Sequence, residues 1–102
     1  MSIFTKIIQR EIPARIEYEQ ENIIVIHDIN PEARIHLLII PKKEIPSIND
    51  LEEEDRELIA EMFFVAKKVA QNLGVDSWYK LLFNVGSLAE INHLHLHLLS
   101  DI

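Results

Sequence analysis

Three of the chain's five histidines occupy alternate positions in His93-Leu94-His95-Leu96-His97-Leu98-Leu99. An extended strand would send the two rows to opposite faces. The leucines can then be buried, while the imidazoles line the other face and can converge on one small anion, metal ion or reacting atom. Near neutral pH an imidazole can offer a lone pair, a proton or a metal ligand. Two other readings compete. A half-buried strand must carry something polar outside, and histidine serves there. Zinc is also commonly held by three histidines. On a flat strand the i, i+2, i+4 register spans about 13 Å, so all three can ligate one ion only if the strand bends. Asp28 or His36 would then complete the site.

The surrounding elements must place these side chains. Ile3, Phe4, Ile7 and Ile8 recur at helical spacing and predict a short helix over Ile3 to Arg10, with Pro13 preventing a long continuation. Ala14 to Glu19 and Asn22 to His27 are two β-rich runs around Gln20-Glu21, the pattern of an antiparallel hairpin. Asp28-Ile29-Asn30-Pro31-Glu32 is a turn. Ile35 to Ile40 is almost continuously apolar except for His36, which predicts a central strand covered on both faces and stopped by Pro41.

Asp50 and Glu53 have capping-box spacing, and Glu52, Glu53, Glu54 and Asp55 load negative charge where a helix dipole favours it. The charges read as dipole compensation on a solvated face. The stripe Leu58, Ile59, Met62, Phe63, Ala66, Val69, Ala70 and Leu73 continues that helix to Gly74, roughly 22 residues in all. Trp78 to Val85 reads as a fourth long strand and the leucine-histidine run as a fifth. Short connections favour an antiparallel meander with the long helix on one face. The expected class is therefore α+β, a five-stranded antiparallel sheet with one long and one short helix.

At 102 residues and 48 per cent hydrophobic content, residues 1–102 should form a single domain with one core. No apolar run approaches a membrane span, and Met1-Ser2-Ile3-Phe4-Thr5-Lys6 leads into a mixed polar segment rather than a signal-peptide core. No membrane partner is expected. Without cysteine there is no disulfide or thiolate zinc site, and the cytoplasm is the expected location. Seventeen acidic against ten basic residues give a formal charge of −7, which repels polynucleotides at long range. Small anions remain open, because one phosphate responds to local donors more than to a screened net charge.

Along nearly its whole length the chain resembles the histidine-triad family, in its branch of small nucleotide-binding phosphoramidases. The resemblance is carried by Ile3-Phe4-Thr5-Lys6-Ile7-Ile8 with Glu11-Ile12-Pro13-Ala14, by His27-Asp28-Ile29-Asn30-Pro31, and by His36-Leu37-Leu38-Ile39-Ile40-Pro41-Lys42-Lys43. Asn84, Gly86 and Ser87 then precede the histidine run. It implies a histidine-triad fold whose sheets continue across a homodimer, with Trp78, Phe64 or Val65 supplying apolar surface. It also implies a purine nucleoside monophosphate, AMP- or GMP-like, bound through its α-phosphate, with chemistry at phosphorus and no metal or other cofactor.

In that reading His95 is the nucleophile that forms a nucleotidyl-histidine. His97 and Asn84 donate to phosphate oxygens, His93 and His36 hold the cluster's orientation, and Asp28 accepts from the ribose hydroxyls. Gly86 belongs to the nucleotide site, and Ile3, Phe4, Ile7, Ile26 and Ile29 form the apolar walls around the base. Two departures fall on the leaving-group side. Leu88-Ala89-Glu90-Ile91-Asn92 replaces a longer Gly-rich stretch, which puts Glu90 near the position of a serine that assists the departing amine. Ser100-Asp101-Ile102 replaces a Gly-Gly-Arg-type continuation. The expected activity is hydrolysis or transfer at the α-phosphate of nucleoside phosphoramidates. The alternatives are a nucleotide binder with weak turnover, because of the altered loop, and a zinc-dependent hydrolase.

Overall fold

The structure, a computed structural model, describes residues 1–102. A short helix, α1 (Ile3–Ile8), precedes the hairpin of β1 (Ile16–Glu19) and β2 (Ile23–His27), followed by β3 (Ile35–Pro41). The long helix α2 (Arg56–Asn72), β4 (Lys80–Leu82) and β5 (Leu96–Ser100) complete the order. The five strands form one antiparallel sheet in the order β1-β2-β3-β5-β4. The expected α+β layout is present, but the meander is not. The chain crosses over through α2 to the far edge at β4, and β5 then inserts between β3 and β4. The last strand is thereby central, with partners on both sides.

Strand periodicity separates two apolar layers. Ile23, Val25, Leu37, Ile39, Leu96 and Leu98 point to one face and pack with Met62, Val65, Ala66, Val69 and Ala70 of α2. Their neighbours Ile24, Ile26, Leu38 and Ile40 point to the other face, where Phe4 and Ile7 of α1 cover them. Because Leu38 lies opposite His97, that histidine shares the α1 face, and Phe4 of α1 meets the rings of His93 and His95 there too. The split between leucines and imidazoles is as the alternation predicts, yet His93, His95 and His97 are all buried rather than solvated.

Several boundaries move. β5 begins at Leu96 instead of His93, and Pro41 gives the reason. Continuing the ladder from the Ile39–Leu96 pair would set Leu94 opposite Pro41, which has no N–H to donate. The Leu94 N–H instead reaches the Ile45 carbonyl at 2.7 Å. Pro41 itself remains inside β3 as its last residue. β4 is three residues rather than the expected Trp78 to Val85, since Trp78 closes a turn onto the Val75 carbonyl and Asn84 leaves the sheet towards the histidines.

The long helix is shorter than its acidic start suggests. Two 3-10 turns, Ile48–Asp50 and Glu53–Asp55, precede it, and the reciprocal cap joins Glu52 and Asp55 rather than Asp50 and Glu53. Asp55 is also not on a solvated face. It is buried and accepts the Lys43 Nζ at 2.6 Å and the Glu52 N–H at 2.9 Å. The Lys43 hydrogen bond, and then that amide, hold its carboxyl below the usual range.

Candidate active site

The α1 face of the sheet carries a line of buried imidazoles. His36 lies opposite Leu99, so it is diagonal to His97 on the neighbouring strand, and the two ring centroids are 5.1 Å apart. His97 in turn lies 4.9 Å from His95, and His95 meets the edge of Phe4 at 5.1 Å. Asp28 follows β2 and accepts the Asn30 N–H at 2.9 Å, which bends the turn and leaves its other carboxylate oxygen 3.4 Å from His36 Nε2. Asn84, after β4, approaches His97 Nε2 from the far side at 3.4 Å.

The hydrogen bonds fix the tautomers of neutral rings. The Glu32 N–H donates to His36 Nδ1 at 3.0 Å, so the proton of neutral His36 is on Nε2. That proton points at His97 Nδ1, 2.8 Å away, which puts the proton of His97 on Nε2, where the Asn84 amide at 3.4 Å can accept it only through its oxygen. His95 donates from Nδ1 to the His93 carbonyl at 2.7 Å and so keeps a lone pair on Nε2. His93 donates from Nε2 to the Pro41 carbonyl at 2.8 Å and accepts the Ser2 hydroxyl proton at Nδ1, 2.6 Å.

Burial favours the neutral form of His93, His95 and His97. Desolvation is the leading cause that lowers the proton affinity of His93 and His95, and it brings His97, with help from neighbouring His95 and His36, to about 4. On His95 the His93 carbonyl and the charges of Asp28 and Glu90 pull the opposite way. The ring is thus neutral at rest but surrounded by groups that favour positive charge once it develops. One lone pair beside one N–H donor is an arrangement that can attack an anionic electrophile and hold its oxygens.

The three triad histidines do not converge as a metal-binding set. The group able to share an ion is Asp28, His36 and His97, whose ligand atoms lie within 4.8 Å of one another. The two ring nitrogens in it already share a proton, which a cation would have to displace, while His93 and His95 bind backbone carbonyls.

A family model described as the scavenger mRNA decapping enzyme C-terminal binding domain matches residues 1–102. A HIT family hydrolase from Legionella pneumophila is 48% identical, with a TM-score of 0.95 over 100% of this chain and 94% of that one. An uncharacterized HIT-like protein of Synechocystis is 43% identical over 96% of this chain and 88% of its own length. The chain belongs to the HIT family. This HIT chain also resembles the histidine triad nucleotide-binding protein of Candida albicans, at 31% identity and a TM-score of 0.84 over 96% of this chain and 73% of the other. Its fold is that of the HIT family hydrolases. No helix is long and apolar enough to cross a membrane.

Other expected site residues of this HIT chain are distributed unevenly. Phe4, Ile7 and Ile26 are buried together on the histidine face, whereas Ile3 is half exposed and Ile29 is 89% exposed. Ile3 and Ile29 are therefore not packed walls of a formed pocket. Gly86 has φ +76°, a conformation suited to glycine, and opens the 3-10 turn Gly86–Ala89. Glu90 has φ +65° and ψ −39°, and the Ile91 N–H reaches back to the Ala89 carbonyl at 2.7 Å. That is a γ-turn centred on a glutamate, a strained geometry.

Sequence reasoning missed Ser2, Glu44 and the backbone groups of Glu32 and Pro41. Ser2 was legible as a helix cap. The others act through tertiary approach and leave no local pattern.

Proposed function

We propose that this HIT protein cleaves nucleoside 5′-phosphoramidates of the AMP-amine type by way of a nucleotidyl-His95 intermediate. The carrying observation is the tautomer pair, a free lone pair on His95 Nε2 beside an N–H on His97 Nε2. The names of its structural neighbours, HIT family hydrolases and a histidine triad nucleotide-binding protein, support the reading.

In the first step the His95 Nε2 lone pair forms a bond to the α-phosphorus as the bond from phosphorus to the amine nitrogen breaks. The leaving nitrogen departs with that electron pair and takes a proton from solvent or a neighbouring acid on the Glu90 side. His95 Nδ1 keeps its proton, so the ring becomes cationic and its bond to the His93 carbonyl strengthens. His97 Nε2–H and the Asn84 amide donate to the non-bridging oxygens. In the second step water attacks phosphorus, the bond to Nε2 breaks with its electron pair returning to the ring, one water proton stays on the phosphate while the other passes to solvent, and the nucleoside monophosphate leaves with a neutral His95 restored. Asp28 accepts from the ribose hydroxyls, Gly86 lines the phosphate side, and Phe4, Ile7 and Ile26 contribute the apolar side towards the base.

A homodimer is part of the same reading. Phe64 and Trp78 are 70% and 54% exposed and supply apolar surface for it. Val65, expected with them, is buried under the sheet and takes no part.

Chromatographic assay of an AMP-alkylamine tests the proposal. Release of AMP and amine in equal amounts, abolished by His95→Asn, is expected. AMP binding without release would leave a nucleotide-binding protein.

A further inference from the structure

A chain of hydrogen bonds runs from an exposed carboxylate to the ring of His95, and the proposed chemistry does not use its outer members. Glu44 Oε1 accepts the Ser2 N–H at 2.8 Å and the Thr5 hydroxyl at 2.5 Å. These two bonds, the hydroxyl first, hold the Glu44 carboxyl down at about 2. Ser2 caps α1 by accepting the Thr5 N–H at 3.1 Å, and its own hydroxyl proton goes to His93 Nδ1 at 2.6 Å. His93 is completely buried, with its other nitrogen on Pro41, and its carbonyl orients His95. Phe4, in the first turn of α1, sets its ring edge-on to both His93 and His95, at 5.6 and 5.1 Å.

Every donor in this chain has one acceptor, and Ser2 is its branch point, sending its N–H out to Glu44 and its hydroxyl proton in to His93. We propose that Ser2 and Glu44 are positioning residues that latch α1 to His93, so that the apolar wall of Phe4 and Ile7 and the lone pair of His95 are placed as one unit. The inference rests on His95 being the nucleophile. A six-residue helix has little stability of its own. Without the latch the N-terminal end of α1 is left to its apolar contacts, and the His93 ring keeps only its bond to the Pro41 carbonyl.

The test compares kcat and KM for an AMP-alkylamine, melting temperature and histidine 15N NMR in four variants. Ser2→Ala and Glu44→Ala should lower kcat about tenfold, short of the roughly 100-fold that an ångström-scale misplacement can cost, with KM within about twofold. Ser2→Thr and Glu44→Gln keep the hydroxyl and the acceptor oxygen and should restore most of the rate. In Ser2→Ala the His93 Nδ1 resonance should move towards that of an unbonded ring nitrogen. Wild-type kcat in both alanine variants would overturn the proposal, as would equal losses in the conservative pair. If the unmutated protein binds AMP but releases no amine, the phosphoramidase reading fails by itself. The latch then stands or falls on the His93 resonance in Ser2→Ala.

Discussion

His36 Nε2 stands 2.8 Å from His97 Nδ1, and the Glu32 amide on the far nitrogen of His36 gives that contact its direction. A proton handed inward at His36 leaves the outward nitrogen of His97 as a donor. Two strands that meet only through folding, β3 and β5, thereby set one tautomer. His36→Ala should free His97 to adopt either tautomer and lower kcat by roughly 10–100-fold, the range for groups that orient a working histidine. Steady-state kinetics on an AMP-alkylamine checks this, and an unchanged kcat would remove His36 from the relay.

Removal of the donor itself is a separate case from removal of the nucleophile. His97→Ala should cost about 2.7–4 kcal/mol of transition-state stabilisation while leaving slow covalent chemistry. His95→Asn should fold and bind AMP but lose roughly 10⁴-fold or more in turnover. His93→Ala should lose only part, since its ring touches Ser2 and Pro41 rather than phosphorus. Single-turnover rates rank the three variants.

Acid should weaken both the fold and the activity. His93, His95 and His97 bind protons less readily folded than unfolded, so below pH 6.5 the unfolded chain carries more protons and stability falls with pH. The loss runs from about 6.5 down to about 4 for His97, whose depression alone is worth on the order of 3 kcal/mol. Protonation of His95 removes the lone pair, and burial lowers its proton affinity, so kcat/KM should fall in acid below the ordinary imidazole range. Denaturant midpoints at pH 7.5 and 4.5 check the stability claim, and equal midpoints would contradict it.

Glu90 is exposed, strained and close enough for its charge to act on His95. In the proposed reaction it would repel an incoming phosphoramidate anion, whereas in the nucleotidyl-His95 intermediate the negative phosphate and positive ring largely cancel. Glu90→Ser should therefore lower KM more than it changes kcat, raising kcat/KM roughly two- to fivefold for a near-surface charge. An unchanged KM would place the carboxylate away from the leaving group.

The proposed dimer is checked by light scattering. Micromolar protein should have twice the chain mass of 11.9 kDa, and Phe64→Glu should shift it towards monomer. A monomeric wild type would contradict the reading.

Much of this architecture is readable in particular stretches of sequence. Alternation in Ile35 to Ile40 and in the leucine-histidine run predicts which side chains share a layer, because strand periodicity is local. The start of β5 is not readable, since it depends on Pro41 arriving opposite Leu94 from another strand. Asp55 looks like one more surface acid until Lys43 is folded onto it. At the site, His95 and His97 are visible as a pair, but their different tautomers come from the His93 carbonyl and from the Glu32 amide through His36. His93 looks equivalent to its neighbours in sequence, yet its ring is taken up by Ser2 and the Pro41 carbonyl, partners that only the fold brings to it.

Intact-protein and peptide mass spectrometry after rapid mixing with an AMP-alkylamine, quenched under conditions that preserve phosphorus-nitrogen bonds, tests the nucleophile directly. The expected result is a transient adenylyl adduct mapped to His95 and missing from His95→Asn. AMP release at the full rate in His95→Asn, or an adduct on a different residue, would contradict the assignment.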